Sequence, residues 1–281
     1  MKIINQKISL RAEILAIKGE GKTIGFVPTM GALHEGHLKL VKQAVDENDI
    51  CVVSVFVNPT QFNNASDLEK YPRNLQQDAD LLKSVGCELI FAPEADEMYN
   101  TDELNVHFEF DFAGLDNVME GKFRPGHFNG VVQIVSKLFQ LVQPDKAYFG
   151  EKDFQQLAII HHMTKVMNFE VEIVDCPIVR EPSGLAMSSR NERLTAIQRK
   201  NAAEISKVLF ESRNFATQFS PKELTKSVTD RINTVDELKV EYFEIVNSNT
   251  LQTIQSWDEP STGCIAVFCG EVRLIDNIRY N

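Results

Sequence analysis

The stretch Ile50-Cys-Val-Val-Ser-Val-Phe-Val57 constrains the fold more than any other, because it is apolar along nearly its whole length. A strand with one wet face alternates; a nearly continuous apolar run is covered on both faces, as in a parallel sheet flanked by helices. Its neighbours agree with that reading. Upstream, Thr23–Val27 reads as a strand, Pro28 and Gly31 punctuate a turn, and Leu33, Leu38, Val41 and Val45 follow with helical spacing. Downstream, Leu75, Leu81, Leu82 and Val85 mark a second helix, and Glu88–Phe91, with Pro93 behind it, a third strand. Right-handed crossovers turn such a β-α-β-α-β series into half of a doubly wound sheet, whose ligands sit beyond the carboxyl ends of the strands.

A second group of elements continues the pattern. Val131, Val132, Ile134, Val135, Leu138, Phe139 and Val142 keep helical spacing up to Pro144. Tyr148-Phe149 then precede Gly150-Glu151-Lys152-Asp153, a helix through Leu157, Ile160 and Met163 with Asp153 placed as its N-cap, and a strand at Val171–Val174. Beyond Pro177 the character changes. A Glu181-Pro-Ser-Gly184 turn leads into polar helices near 195–212 and 221–233 and strand-like segments at Val240–Val246, Cys264–Cys269 and Val272–Ile275. The expected fold is α/β: a Rossmann-like doubly wound parallel sheet over residues 1–177, followed by a smaller C-terminal α+β domain over 178–281.

Composition narrows the function classes. With 281 residues and 43% hydrophobic content the chain buries a large core. A formal charge of −11, from 29 basic and 40 acidic residues with no basic cluster, argues against nucleic acid as a partner, since that affinity comes from neutralising phosphates. The cysteines at 51, 87, 176, 264 and 269 are scattered and lack a Cys-x-x-Cys pair, so they read as buried thiols in a reducing compartment. Met1–Lys7 lacks a signal-peptide hydrophobic region and no apolar run reaches membrane-spanning length, which leads to the expectation of a cytoplasmic protein without membrane contact.

Chemistry concentrates at the first turn, Met30-Gly-Ala-Leu-His-Glu-Gly-His37. A strand feeding a glycine turn and a helix N-terminus favours an anion, because first-turn amides lack intrahelical partners and the helix dipole adds positive charge. His34 and His37 would share a face beside it, and Gly36 between them lets a ligand approach the backbone. The zinc-protease pattern His-Glu-x-x-His would need histidine where this chain has Leu38. From these eight residues alone, phosphate binding and an ordinary amphipathic helix surface remain equally open. Lys152 is likewise either a phosphate ligand or part of a capped, solvated helix start. No cluster of protein metal ligands stands out.

Several separated blocks resemble bacterial pantothenate synthetases together: Pro28–His37, Val57-Asn-Pro-Thr-Gln-Phe62, Arg124-Pro-Gly-His-Phe128, Phe149-Gly-Glu-Lys-Asp-Phe-Gln-Gln156, Leu185-Ala-Met-Ser-Ser-Arg-Asn191 and Arg273-Leu-Ile-Asp-Asn277. The resemblance covers essentially the whole chain, with the blocks in the same order and spacing. It implies condensation of pantoate with β-alanine at the expense of ATP, through an enzyme-bound pantoyl adenylate that releases pyrophosphate and then AMP. It further implies a homodimer, and Mg2+ is expected on the ATP phosphates because a divalent ion neutralises charge that a net acidic chain cannot. His34, His37, Lys152 and Arg190 become the expected catalytic residues, with His37 as proton donor or phosphate stabiliser. ATP contacts fall on Met30, Gly31, Ala32, Leu33, His34, Glu35, Gly36, His37, Gly150, Glu151, Lys152, Asp153, Val179, Met187, Ser188, Ser189 and Arg190. Gln61 and Gln156 hold pantoate, Gln61 also β-alanine, with Asn58 and Met30 as lesser candidates. Arg124–His127, between a strand-like Val106–Phe110 and a helix, reads either as a loop over the entrance that steers anions or as a turn that caps the helix, and the C-terminal domain reads as a lid. Thr60 stands where many members have methionine, Asn63-Asn64 replaces a common glycine, and Arg190 occupies a position often held by lysine in related adenylate-forming enzymes.

Overall fold

The computed structural model describes residues 1–63, 68–69, 71–100, 103, 108–216 and 218–281. Contacts group these into two compact units. The first comprises Met1–Asp116, Gly121–Gly150 and Ile159–Cys176; the second comprises Asn117–Glu120, Glu151–Ala158 and Pro177–Asn281. The chain therefore changes unit after Asp116, Glu120, Gly150 and Ala158 as well as after Cys176, and Glu151-Lys152-Asp153 cluster with the C-terminal elements.

The first unit is built on a six-stranded parallel sheet in the order β1-β4-β3-β2-β5-β6. Its strands are β1 (Lys2–Ile4), β2 (Ile24–Thr29), β3 (Ile50–Val55), β4 (Leu89–Phe91), β5 (Lys146–Gly150) and β6 (Glu172–Cys176). The longer helices among them are α1 (Lys7–Gly19), α2 (Glu35–Glu47), α3 (Leu75–Ser84), α4 (His127–Val142) and α5 (Phe154–Val166), the last running from the second unit into the first. Cys51, Val52 and Val53 are buried, as a strand covered on both faces requires. The apolar stripe of α2 contributes Val41 and Ala44 to a core shared with Val27, Val53, Leu82, Ile90 and Tyr148. Strand order runs from β2 to β4 in one direction and from β2 to β5 and β6 in the other. The topological switch point thus lies between the carboxyl ends of β2 and β5.

Two local differences from the sequence reading have physical causes. Pro28 belongs to β2 rather than to the following turn. The carbonyls of Thr23 and Thr29 accept from Ile50 and Phe56 on the β3 side while that of Ile24 accepts from Asp145, so even positions of β2 face the β5 side. Pairing with β5 is registered only at Gly25 and Phe26, and the N–H that Pro28 lacks is not needed there. The strand expected at Val106–Phe110 falls partly outside the described residues, and Phe108–Phe110 are irregular.

The second unit carries a three-stranded antiparallel meander, β7 (Leu238–Asn247), β8 (Ser261–Cys269) and β9 (Val272–Arg279), with α6 (Ala196–Ser212) and α7 (Pro221–Asn233). Both helices open with capping boxes, Thr195 with Gln198 and Ser220 with Glu223, the latter with Pro221 at the first helical position. Ile205, Leu209, Leu224, Val228 and Ile232 from the helices join Ile245, Ile265, Val267 and Leu274 from the strands in one core. All five cysteines are buried, and none is joined to another in a disulfide. Among the described residues no helix is long and apolar enough to cross a membrane.

Candidate active site

Beyond Thr29 the chain turns through two successive left-handed residues, Gly31 (φ +78°) and Ala32 (φ +51°), and reaches His34, the N-cap of α2. Glycine enters that region freely, whereas alanine there costs about 1–2 kcal/mol. At the cap, the Gly36 amide donates to His34 Nδ1 over 3.1 Å and the His34 amide donates to His37 Nδ1 over 3.4 Å. This is a capping box in which imidazoles replace the usual hydroxyl and carboxyl groups. The rings lie 4.1 Å apart between centroids. The hydrogen bonds also set the tautomer. A neutral imidazole that accepts at Nδ1 carries its proton on Nε2, so both rings present an Nε2–H donor.

The turn is held from below by a residue that sequence reasoning missed. Asp78, in the first turn of α3 and 2% exposed, accepts the Leu33 amide on Oδ1 at 2.8 Å and the Ala32 amide on Oδ2 at 3.1 Å. Burial pushes its pKa up, and the amides of Leu33 and Ala32 oppose that shift by favouring the charged form. The Gly31 amide donates to Thr29 Oγ1 at 3.2 Å. The amides of Gly31, Ala32, Leu33, His34 and Gly36 therefore already have acceptors within the protein. The expectation that the turn's backbone would be open to an anion is corrected at those five positions. The signal in the sequence was an acid four residues before Leu82, on the face of α3 that the apolar pattern buries.

Gln61 follows β3 in a short helical turn, Pro59–Gln61, and is buried. Its amide nitrogen lies 2.8 Å from Met30 Sδ, and its Oε1 accepts from Asn58 Nδ2 at 3.2 Å. The structure thus joins Met30, Asn58 and Gln61 directly. Asn58, 1% exposed, also donates to the Gly130 carbonyl at 3.0 Å and accepts from the Tyr99 hydroxyl at 2.7 Å, and burial pushes the Tyr99 pKa up to about 12. Gly130 lets α4 touch this turn: a Cβ there would stand 2.4 Å from the Thr60 carbonyl oxygen. His127, expected at an entrance loop as an anion-steering group, is instead buried at the start of α4. Its Nδ1 lies 2.8 Å from the Gln61 carbonyl, which only accepts, so His127 is the Nδ1–H donor that fastens this turn.

In the second unit, Glu151-Lys152-Asp153 form a short helical turn immediately before α5. Lys152 Nζ stands 3.9 Å from Asp153, and the carbonyls of Glu151 and Lys152 both accept from Asn277 Nδ2, at 2.8 and 3.0 Å. Gln156 is half-buried, while its neighbour Gln155 is buried and donates to the Val118 carbonyl. Val179 and Met187 face each other across a hairpin, with the Met187 amide on the Val179 carbonyl at 2.9 Å. Ser188 caps the turn Ser189–Arg193 by accepting the Arg190 amide, and buried Asn191 ties that turn to Ala186 and Glu181. The Arg273–Asn277 block fastens this unit. Arg273 pairs with Glu120 and Glu241, and Asp276 accepts from both Nη atoms of Arg180. Those long-range roles have no local sequence signal. Among the described residues no group of three or more His, Cys, Asp and Glu side chains is placed to hold a metal ion.

The model of the pantoate-beta-alanine ligase family matches residues 2–279. The chain belongs to this family. Similar curated relatives are the pantothenate synthetases of Bacteroides thetaiotaomicron, 58% identical over 100% of this chain and 99% of the relative, and of Porphyromonas gingivalis strain W83, 52% identical over the same shares. Among solved structures, pantothenate synthetase from Thermus thermophilus superposes with a TM-score of 0.91 at 41% identity, covering 100% of this chain and 99% of that one. The pantoate-beta-alanine ligase of Francisella tularensis, solved with beta-gamma ATP and beta-alanine, gives 0.84 at 36% identity over 100% and 98%. As a pantoate-beta-alanine ligase family member, this chain has the α/β sheet and smaller C-terminal unit of those structures.

Proposed function

We infer that the chain condenses pantoate with β-alanine, consuming ATP and yielding pantothenate, AMP and pyrophosphate. A carboxylate is a poor acyl donor because its leaving group would be oxide. In the proposed course a pantoate carboxylate oxygen attacks the α-phosphorus of ATP and pyrophosphate departs. The β-alanine amine then attacks the acyl carbon of pantoyl adenylate, AMP leaves with the bonding electrons, and the amine loses a proton. Both steps gain from donors fixed in advance where negative charge grows.

The observation that carries this reading is the reciprocally capped histidine pair after β2, at the switch point of the sheet, in a chain matched by the family over residues 2–279. His34 and His37 are assigned to the phosphates through Nε2–H. Lys152, Ser188, Ser189 and Arg190 are assigned to the same charge, and arginine at 190 adds a planar fork for phosphate oxygens. Met30–His37, Gly150–Asp153, Val179 and Met187 are the remaining proposed ATP contacts. Gln61 and Gln156 are assigned to pantoate and Gln61 also to β-alanine. A thioether is a weak acceptor, so the Gln61 amide, now against Met30 Sδ, loses little when it turns to a carboxylate or hydroxyl. Mg2+ is proposed to arrive with ATP as part of the substrate, which suits a chain of charge −11 without a ligand cluster among its described residues. A cytoplasmic homodimer completes the proposal. Product analysis with all three substrates tests it: pantothenate and AMP are expected in equal amounts, and a product that retains the nucleotide would replace the ligase reading with nucleotidyl transfer.

A further inference from the structure

We propose that Asp78 is a positioning residue for this reaction, acting through the backbone of residues 31–34 to hold His34 and His37 as paired Nε2–H donors. The inference rests on the assignment of those histidines to the ATP phosphates. The two oxygens of one buried carboxylate take two consecutive amides, those of Ala32 and Leu33. Those amides belong to the segment that departs from ordinary backbone, with left-handed φ at Gly31 and Ala32. Asp78 stands in the first turn of α3, where the helix dipole favours its charge, so the carboxylate lies between a helix N-terminus and the amides of the turn. The fit is close: a Cβ on residue 31 would stand 2.8 Å from Asp78 Oδ2.

One residue beyond Leu33, the His34 amide takes up His37 Nδ1, and His34 Nδ1 takes up Gly36. The orientation of the segment therefore decides whether both rings are engaged at Nδ1. Asp78 has a second consequence. By occupying the Ala32 and Leu33 amides with a negative group, it takes those two donors away from phosphate. Asp78 touches no reacting atom in this scheme. It fixes which atoms of the histidines face one.

The test compares wild type with Asp78→Asn, which keeps the shape but puts an NH2 group against one of the two amides. Two readouts are needed: pantoate-dependent exchange of pyrophosphate into ATP, and the 15N resonances of His34 and His37 in long-range 1H–15N spectra. The expected result is a 10- to 100-fold lower maximal exchange rate, with KM for ATP changed less than threefold. The two histidines should also lose the single Nε2–H tautomer pattern seen in wild type. Unchanged histidine spectra, or an effect confined to KM, overturn the assignment of Asp78. If Asp78→Asn does not fold, the same readouts on Asp78→Glu decide, since a carboxylate one methylene longer keeps the charge and loses the register. Absence of exchange in folded wild type would instead sink the underlying ATP reading.

Discussion

Gly130 offers a direct way to move Gln61 without touching it. In Gly130→Ala the new Cβ would stand 2.4 Å from the Thr60 carbonyl oxygen and 2.6 Å from the Gln61 nitrogen. Both are backbone atoms, so no flexible side chain can give way. Favourable contact needs about 3.5 Å, which requires α4 and the Pro59–Gln61 turn to separate by about 1 Å. Overpacking of this kind costs about 1–3 kcal/mol. The separation also stretches the bonds from Asn58 to the Gly130 carbonyl and from His127 to the Gln61 carbonyl, each contributing about 0.5–1.5 kcal/mol. The expected loss is about 2–6 kcal/mol in urea unfolding. Because a misplacement of about 1 Å can cost about 10²-fold in rate, kcat/KM for pantoate should fall by roughly that factor. Helix propensity alone favours alanine over glycine by about 1 kcal/mol. A variant as stable as wild type, with unchanged kcat/KM for pantoate, would therefore refute the close packing of α4 on the glutamine turn.

Gly31→Ala places a β-carbon 2.8 Å from Asp78 Oδ2 at a left-handed φ, and the backbone term alone should remove about 1–2 kcal/mol of stability; an unchanged melting temperature contradicts this. Arg273→Ala leaves Glu120, 9% exposed, without its guanidinium, so urea unfolding should show a loss of about 3–5 kcal/mol, and a loss below about 1 kcal/mol would show that the pair is not holding this unit together. His37→Ala and Lys152→Ala should each slow adenylation by about 10² to 10³ in single-turnover measurements, and near-normal rates in folded variants remove those residues from the phosphate site.

What the sequence discloses follows the range of the interaction. The continuous apolar run at 50–57 and the helical spacings around it disclose β2 to β4 and their helices, since burial on both faces leaves a periodic trace. β1 leaves none, because three residues at a sheet edge carry no period. The caps at Thr195 and Ser220 are legible as ordinary capping boxes, whereas the cap at His34 is hidden in residues whose usual role is to titrate or ligate. Met30, Asn58 and Gln61 are legible as neighbours through the family resemblance. Asp78 is not, because an acid in a first helical turn reads as a dipole partner, and the amides that donate to it lie 45 and 46 residues away in the chain. His127 reads as a surface base because of its residue type, and only the packing of α4 turns it inward. Arg273, Asp276 and Asn277 reach Glu120, Arg180 and Glu151, which lie 96 to 153 positions distant, a separation at which composition and period are silent.

The central claim is that the histidine turn serves an adenylation in which pantoate attacks ATP before β-alanine takes part. Isotope exchange tests it most directly: folded enzyme with ATP, Mg2+ and pantoate, but no β-alanine, should move labelled pyrophosphate into ATP, and omission of pantoate should stop the exchange. Pyrophosphate exchange that ignores pantoate, or none at all from folded enzyme that still forms pantothenate, would contradict the pantoyl-adenylate route.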